Sequence, residues 1–147
     1  MKKSNRWSRY TRGEKGMTLV EIMIVLAILA AIAGVLVSTI MNRLRAAKVK
    51  QAKIQISEYM KQLDLYYTDC GSYPSTELGL EALVNQPEDG SCPDWGPDKY
   101  LKSVKKDPWK HEFIYELTEN GPVLTSLGSD GKQGGTGDAK DISSDDG

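Results

Sequence analysis

The chain has 147 residues, 27% of them charged, and a formal net charge of −1, which fits a small protein of at most one globular domain. The charge is uneven, because six of the 19 basic residues but only one of the 20 acidic residues fall within the first 16 positions. No basic face interleaved with aromatic residues follows that segment, which argues against nucleic-acid binding. The sequence has no phosphate-binding loop or nucleophile motif, and its single histidine, His111, lies between two charged residues as surface histidines do. Nothing in it therefore argues for catalysis.

An apolar stretch of 25 residues, 17–41, follows the basic segment and contains one charged residue, Glu21. At about 1.5 Å per residue it is long enough to cross a hydrocarbon core of about 30 Å. It is too long for the core of a cleaved secretory signal, roughly 7–15 residues, and no A-x-A-like site follows it. We therefore predict a membrane helix that stays in the mature protein. Since a charge at membrane depth costs about 2.5–3.5 kcal/mol, we expect Glu21 to have a functional role and a partner.

Basic residues flank both ends of this stretch, so the positive-inside bias is nearly balanced. Those on the far side are Arg43, Arg45, Lys48, Lys50 and Lys53. We expect the leader to lie in the cytoplasm and the long polar remainder outside the membrane.

The helical pattern continues beyond the apolar stretch, because no glycine or proline occurs between Met41 and Gly71. Apolar residues recur at spacings of three or four: Val49, Ala52, Ile56, Tyr59, Leu63 and Tyr66. The sequence predicts one helix from about Met17 to about Thr68. Its first half is apolar all round, and its second half is apolar on one face.

The two cysteines, Cys70 and Cys92, could form a single disulfide in an exported domain. Closing a loop of about 22 residues between them would stabilise the fold by roughly 3 kcal/mol in the chain-entropy model. The alternative is a pair of free thiols in a cytosolic domain.

The remaining polar region predicts small elements that cover the amphipathic half of the helix. Residues 76–85 are expected to form a short helix capped by Thr76, and residues 86–99 a loop. The β-prone segments 112–117 and 123–127 flank Asn120-Gly121, a strong hairpin signal. The predicted class is α+β, with a long amino-terminal helix packed on a small helix and a short antiparallel hairpin or sheet.

The carboxyl-terminal segment places three aspartates, Asp130, Asp138 and Asp141, among five glycines between Gly128 and Gly137. Carboxylate and backbone carbonyl oxygens are the ligands that Ca²⁺ takes, and glycines let a short loop wrap around an ion. The spacing is not that of an EF-hand. By composition the segment is either a calcium-binding loop or a flexible acidic tail.

The amino-terminal pattern resembles the signal of type IV prepilin-like proteins. The basic leader ends in Gly16, and MTLVEIMIVL follows with Glu21 five residues in. The resemblance implies that a membrane aspartyl peptidase cleaves between Gly16 and Met17 and methylates the new amino terminus. Many members have phenylalanine where this chain has Met17.

Four pieces of the polar region resemble the major (G-type) pseudopilins of type II secretion rather than ordinary type IV pilins. They are LGLEALVNQP at 78–87, WGPDKYLK at 95–102, DPW at 107–109, and SLGSDGKQGG at 126–135 closing with Asp141-Ile142. The chain departs from the family at Lys110 and Glu112, where glycine and proline are usual. The cysteine pair is also unusual for this branch.

The resemblance implies that the terminal loop binds structural calcium. Carried over by position, the ligands would be the carboxylates of Asp130 and Asp138 and the backbone carbonyls of Leu127 and Gln133. Asp141 would replace or join Asp138. The implied organisation is a leader at 1–16, a transmembrane assembly helix at 17–41 and a periplasmic domain at 42–147.

The implied function is structural rather than enzymatic. Subunits would sit in the bacterial inner membrane with one span, then form a helical periplasmic homopolymer in which Glu21 pairs with the Met17 amine of a neighbouring subunit. The fibre would drive folded proteins through the outer-membrane secretin. Further implied partners are the minor pseudopilins, the prepilin peptidase and methyltransferase, the inner-membrane assembly platform and inner-membrane lipid. The alternatives are a type IV major pilin and a membrane-anchored periplasmic enzyme or binding protein.

Overall fold

The structure, a computed structural model, describes residues 16–146. The predicted leader therefore lies outside the described residues apart from Gly16. The chain forms two compact units that divide between Ile40 and Met41. Helix α1 spans Leu19–Cys70, 52 residues, so the predicted single helix is confirmed with both ends shifted by two residues.

The core of the second unit is built on one face of α1. The residues at the predicted spacing are at most 5% exposed between Ala52 and Tyr66, and Val49 packs at the edge of the cluster. Leu83, Leu124 and Ile142 from the later elements complete the core and are likewise at most 6% exposed. The amphipathic pattern thus identified the buried face correctly.

The three strands, β1 (Ile114–Thr118), β2 (Gly121–Ser126) and β3 (Ile142–Ser143), form an antiparallel sheet in the order β1-β2-β3. The predicted hairpin is confirmed, with Thr118 paired to Gly121. The turn residues are therefore Glu119 and Asn120, one position earlier than the predicted Asn120-Gly121 pair. Gly121 instead opens β2 with a φ of 122°.

The predicted short helix is smaller than expected, a 3₁₀ helix over Gly79–Leu83. Gly79 adopts a φ of 59°, a left-handed conformation that an α-helix starting at Thr76 cannot contain. The cap assignment to Thr76 is wrong as well. Its hydroxyl oxygen accepts a hydrogen bond from the Leu117 amide at 2.9 Å, which ties this segment to β1.

The carboxyl-terminal segment is not the featureless tail that its composition allowed. It contains a 3₁₀ turn at Gly137–Ala139 and strand β3, whose Ile142 is 6% exposed. Pairing of Ser126 with Ile142 closes residues 127–141 into a loop. This third strand is too short to be read from sequence periodicity.

The two cysteines form the expected disulfide. Cys70 ends α1, and Cys92 lies in the loop that follows the first 3₁₀ helix, 1% exposed, with 4.8 Å between the two α-carbons. The bond fixes the 84–101 connection to the end of the long helix. Trp95, on this connection, donates a hydrogen bond from its indole N–H to the Ala82 carbonyl of the 3₁₀ helix at 2.9 Å.

Candidate functional site

Two regions carry the residues that the sequence singled out: the amino-terminal end of α1 and the loop between β2 and β3. In the first, Thr18 directly precedes α1 and Glu21 lies in its first turn. The Glu21 amide donates to Thr18 Oγ1 at 3.2 Å, and the Thr18 amide donates to Glu21 Oε2 at 3.2 Å. This reciprocal pair is a capping box, which satisfies two amides at the start of the helix. The carboxylate is therefore held at the amino-terminal end of α1 by its own chain.

The apolar half of α1 is uncovered in the single chain. Its large side chains range from Ile22 at 41% to Leu19 at 76% exposed. An 18-residue window of α1 has a mean hydropathy of 2.9 and is 0% buried, which makes this the one candidate membrane span among the described residues. Continuous exposed apolar surface of this size marks a membrane or protein contact.

In the second region, the structure places the predicted calcium ligands in one loop but in different environments. Asp130 is exposed, and its Oδ1 accepts a hydrogen bond from the Lys132 amide at 3.1 Å. The Asp138 carboxylate lies 3.6 Å from Arg45 Nε on α1. The Asp138 carbonyl accepts a hydrogen bond from the Ser129 amide at 2.9 Å, so the two arms of the loop are joined.

Asp141 has an unusual environment. Its Oδ2 accepts a hydrogen bond from the Gly134 amide at 2.9 Å, whereas its Oδ1 is buried and has no hydrogen-bond partner. It lines a pocket of about 410 Å³ together with Leu127 and Gln133, two other predicted ligand positions. A buried carboxylate oxygen without a partner is costly, and a hard cation would satisfy it.

The structure does not bring the three aspartates into one carboxylate cluster. Asp130 and Asp138 are absent from the lining of the Asp141 pocket. Within residues 16–146 no three acidic, histidine or cysteine side chains are grouped to hold a metal. A calcium ion here would therefore rely on backbone carbonyls for much of its ligation. The all-oxygen donor set and the unpaired Asp141 oxygen fit such an ion.

The segment before β1 supports this loop in a way the sequence did not predict. Asp107, 4% exposed, accepts hydrogen bonds from the Trp109 amide at 2.9 Å, the His111 amide at 2.8 Å and Ser126 Oγ at 2.7 Å. His111 is half-buried rather than a free surface residue, and its Nδ1 donates to the Gly128 carbonyl at 3.1 Å. No local signal in the sequence connected the DPW piece to residue 126 or 128.

Comparison with known proteins accounts for this combination of helix, sheet and loop. The profile of type II secretion system protein G matches residues 39–145, and the prokaryotic N-terminal methylation motif matches residues 11–37. The chain belongs to the type II secretion protein G family.

Named relatives share most of their length with this member of the protein G family. The type II secretion system core protein G of Pseudomonas aeruginosa is 43% identical over 134 residues, covering 89% of this chain and 94% of that protein. The Vibrio cholerae core protein G is 34% identical over 133 residues, covering 89% and 91%. The crystal structure of the major pseudopilin from the type 2 secretion system of enterohaemorrhagic Escherichia coli superposes with a TM-score of 0.60 at 28% identity, covering 71% of this chain and 91% of that one.

Membership of the protein G family settles the choice between the two pilin-like functions. The match extends through the carboxyl-terminal loop to residue 145, and the matching family, relatives and structure are those of type II secretion. The family is a structural component of a secretion system rather than an enzyme family.

Proposed function

We propose that this chain is a major pseudopilin. Its subunits are stored in the inner membrane and polymerise into a periplasmic fibre, and the fibre drives folded proteins through the outer-membrane secretin. The observation that carries this proposal is the uncovered apolar half of α1, 0% buried over its most hydrophobic window, with a capped carboxylate at its start. A lone monomer in water could not keep that surface exposed. Lipid would cover it in the stored subunit, and neighbouring helices would cover it in the fibre.

Processing supplies the partner that Glu21 needs. Cleavage before Met17 creates a cationic amine one residue ahead of Thr18, the residue that already holds the Glu21 carboxylate. In a packed apolar bundle, an amine from a neighbouring subunit would pair with that carboxylate and set the register of assembly. An unpaired charge there would be costly by several kcal/mol. Further partners in this proposal are the peptidase and methyltransferase, the minor pseudopilins and the assembly platform.

Two measurements test the assembly proposal. Mass spectrometry of the purified protein is expected to show Met17 as the first residue, carrying one methyl group. Glu21→Leu is expected to abolish fibres seen by electron microscopy, whereas Val25→Leu, an apolar change one turn further along, leaves them intact. Glu21→Leu fibres at wild-type abundance would refute the pairing, and an intact leader would refute the processing step.

We also propose that the loop at residues 127–141 binds one structural Ca²⁺. The unpaired Oδ1 of Asp141 and the pocket that it shares with Leu127 and Gln133 support this proposal. The carboxylates of Asp130 and Asp138 would complete the ligand set once the ion pair between Asp138 and Arg45 has broken. A bound ion would join the two arms of this glycine-rich loop, which has few side-chain contacts of its own. Calorimetric titration of the full-length protein with calcium chloride tests whether an ion binds.

A further inference from the structure

The backbone of Gly128, at the start of the β2–β3 loop, is held on both sides by side chains. Its amide donates to Ser126 Oγ at 3.4 Å, and its carbonyl accepts from His111 Nδ1 at 3.1 Å. Ser126 is 0% exposed and donates in turn to the buried Asp107 carboxylate. Asp107 also fixes the His111 amide, so one carboxylate organises both contacts.

The Ser126 contact orients a peptide unit that bears a proposed calcium ligand, and the His111 contact orients the next unit, which is hydrogen-bonded to the backbone of Asp138. The Gly128 amide and the Leu127 carbonyl belong to one planar unit, so holding the N–H also sets the direction of the carbonyl. The Gly128 carbonyl and the Ser129 amide form the next unit. That Ser129 amide donates to the Asp138 carbonyl at 2.9 Å. The Ser126 contact therefore sets the direction of the Leu127 carbonyl. The His111 contact fixes the Gly128–Ser129 peptide unit, whose amide is hydrogen-bonded to the Asp138 carbonyl.

Close packing leaves this part of the loop little freedom to move. Gly128 has a φ of 63°, and a β-carbon there would lie 2.9 Å from the Lys140 carbonyl oxygen. On the other side, a β-carbon at Gly131 would lie 3.0 Å from His111 Nε2. The imidazole thus contacts the loop backbone at Gly128 and Gly131, on either side of the proposed ligand Asp130.

We propose that Asp107, Ser126 and His111 are positioning residues for the calcium loop, with His111 as the residue whose side-chain hydrogen bond can be changed most cleanly. They act from outside the ligand sphere by fixing the peptide units on either side of Gly128. The inference rests on the proposed calcium function. Groups that orient metal ligands in this way typically govern affinity about 10–100-fold.

Two substitutions at His111 separate its hydrogen bond from its packing. His111→Phe keeps a ring against Gly131 but removes the Nδ1 donor, whereas His111→Asn keeps a donor at nearly the Nδ1 position and loses the ring. Calcium chloride is titrated calorimetrically into the full-length processed protein in detergent micelles. We expect His111→Phe to weaken binding about 10-fold or more and His111→Asn to stay within about threefold of wild type. Glu112→Ala is the matched control, because Glu112 is an exposed neighbour whose one ion pair within residues 16–146 is with Lys106.

The alternative outcomes are distinguishable. Unchanged calcium affinity in His111→Phe, with normal binding by wild type, would overturn the positioning role and leave the calcium site standing. A role in folding alone would lower the melting temperature equally in calcium and in chelator, and would likewise refute the inference. If wild type binds no calcium, the calcium proposal itself fails. Hydrogen exchange in chelator then still tests whether the His111 hydrogen bond holds the loop. The amides of residues 126–135 should exchange faster in His111→Phe than in His111→Asn.

Discussion

Lys110 is the only non-glycine residue in the described chain with a positive φ, 76°. It closes the turn that Asp107 organises, and its amide donates to the Asp107 carbonyl at 2.9 Å. A β-carbon in the left-handed region costs about 1–2 kcal/mol, whereas glycine adopts it freely. Lysine is therefore strained at a position where the family resemblance implies glycine.

Replacing Lys110 by glycine is therefore expected to stabilise the protein. Relief of the strain outweighs the extra flexibility of glycine in the unfolded chain, so the free energy of unfolding should rise by about 0.5–1 kcal/mol. Urea denaturation measures the change. Lys102→Gly, at an exposed loop lysine without positive φ, is the control and should be neutral or destabilising. A fall in stability for Lys110→Gly would contradict the strain argument.

Tyr115 gives the fold a dependence on alkaline pH. Burial raises the pKa of its phenol to about 12, and the hydroxyl donates to the Pro74 carbonyl at 2.8 Å. An unfolded tyrosine loses its proton near pH 10, so the folded form keeps a proton that the unfolded form releases. The contribution of Tyr115 to the free energy of unfolding is therefore fully present below pH 10 and is lost as the pH rises toward 12. In denaturation curves, Tyr115→Phe should lose less stability over this window than wild type, and an equal loss in both would be inconsistent with this assignment.

The elements that depend on local pattern could be predicted from the sequence, and those that depend on distant pairing could not. The core face of α1 follows a period of three and four residues, and the hairpin follows two β-prone segments separated by a turn. Strand β3 has two residues and exists only because Ile142 meets Ser126. The Asp107–Ser126 contact likewise joins positions 19 residues apart, and no local signal marks it. The short helix predicted over residues 76–85 is too long, because the leucine spacing gives no sign that Gly79 adopts a left-handed conformation.

The disulfide is expected to stabilise the connection between α1 and the sheet. The 84–101 connection contains neither helix nor strand, and Cys92 is its anchor to the end of α1. Removing both cysteines as Cys70→Ser with Cys92→Ser should lower the free energy of unfolding by about 3 kcal/mol in the chain-entropy model. Urea denaturation of wild type with and without reductant should show a similar loss. The double variant should be insensitive to reductant, and wild-type stability in that variant would mean that the bond adds nothing.

For the whole molecule, the two compact units separate two tasks. The first, ending at Ile40, presents exposed apolar surface of the kind that marks a membrane or protein contact. The second carries the buried core, the disulfide and the β2–β3 loop. In the proposed fibre, the second unit of each subunit must stay folded to keep its contacts with neighbouring subunits. Residues 132–137 of the loop are all exposed, and three of the six are glycines, so few side-chain contacts hold this part of the unit.

Calcium is therefore expected to act on the stability of the whole second unit. A ligand that binds only the folded state at about 100 times its dissociation constant adds roughly 2.7 kcal/mol, enough to raise the melting temperature by several degrees. Adding chelator to the full-length protein should remove this increase. Asp141→Asn removes the charge on the unpaired Oδ1 and should leave little difference between calcium and chelator. Asp145→Asn, at an exposed aspartate near the end of the chain, should preserve the full difference. Equal melting temperatures for wild type in calcium and chelator would mean that the loop is held by its hydrogen bonds alone.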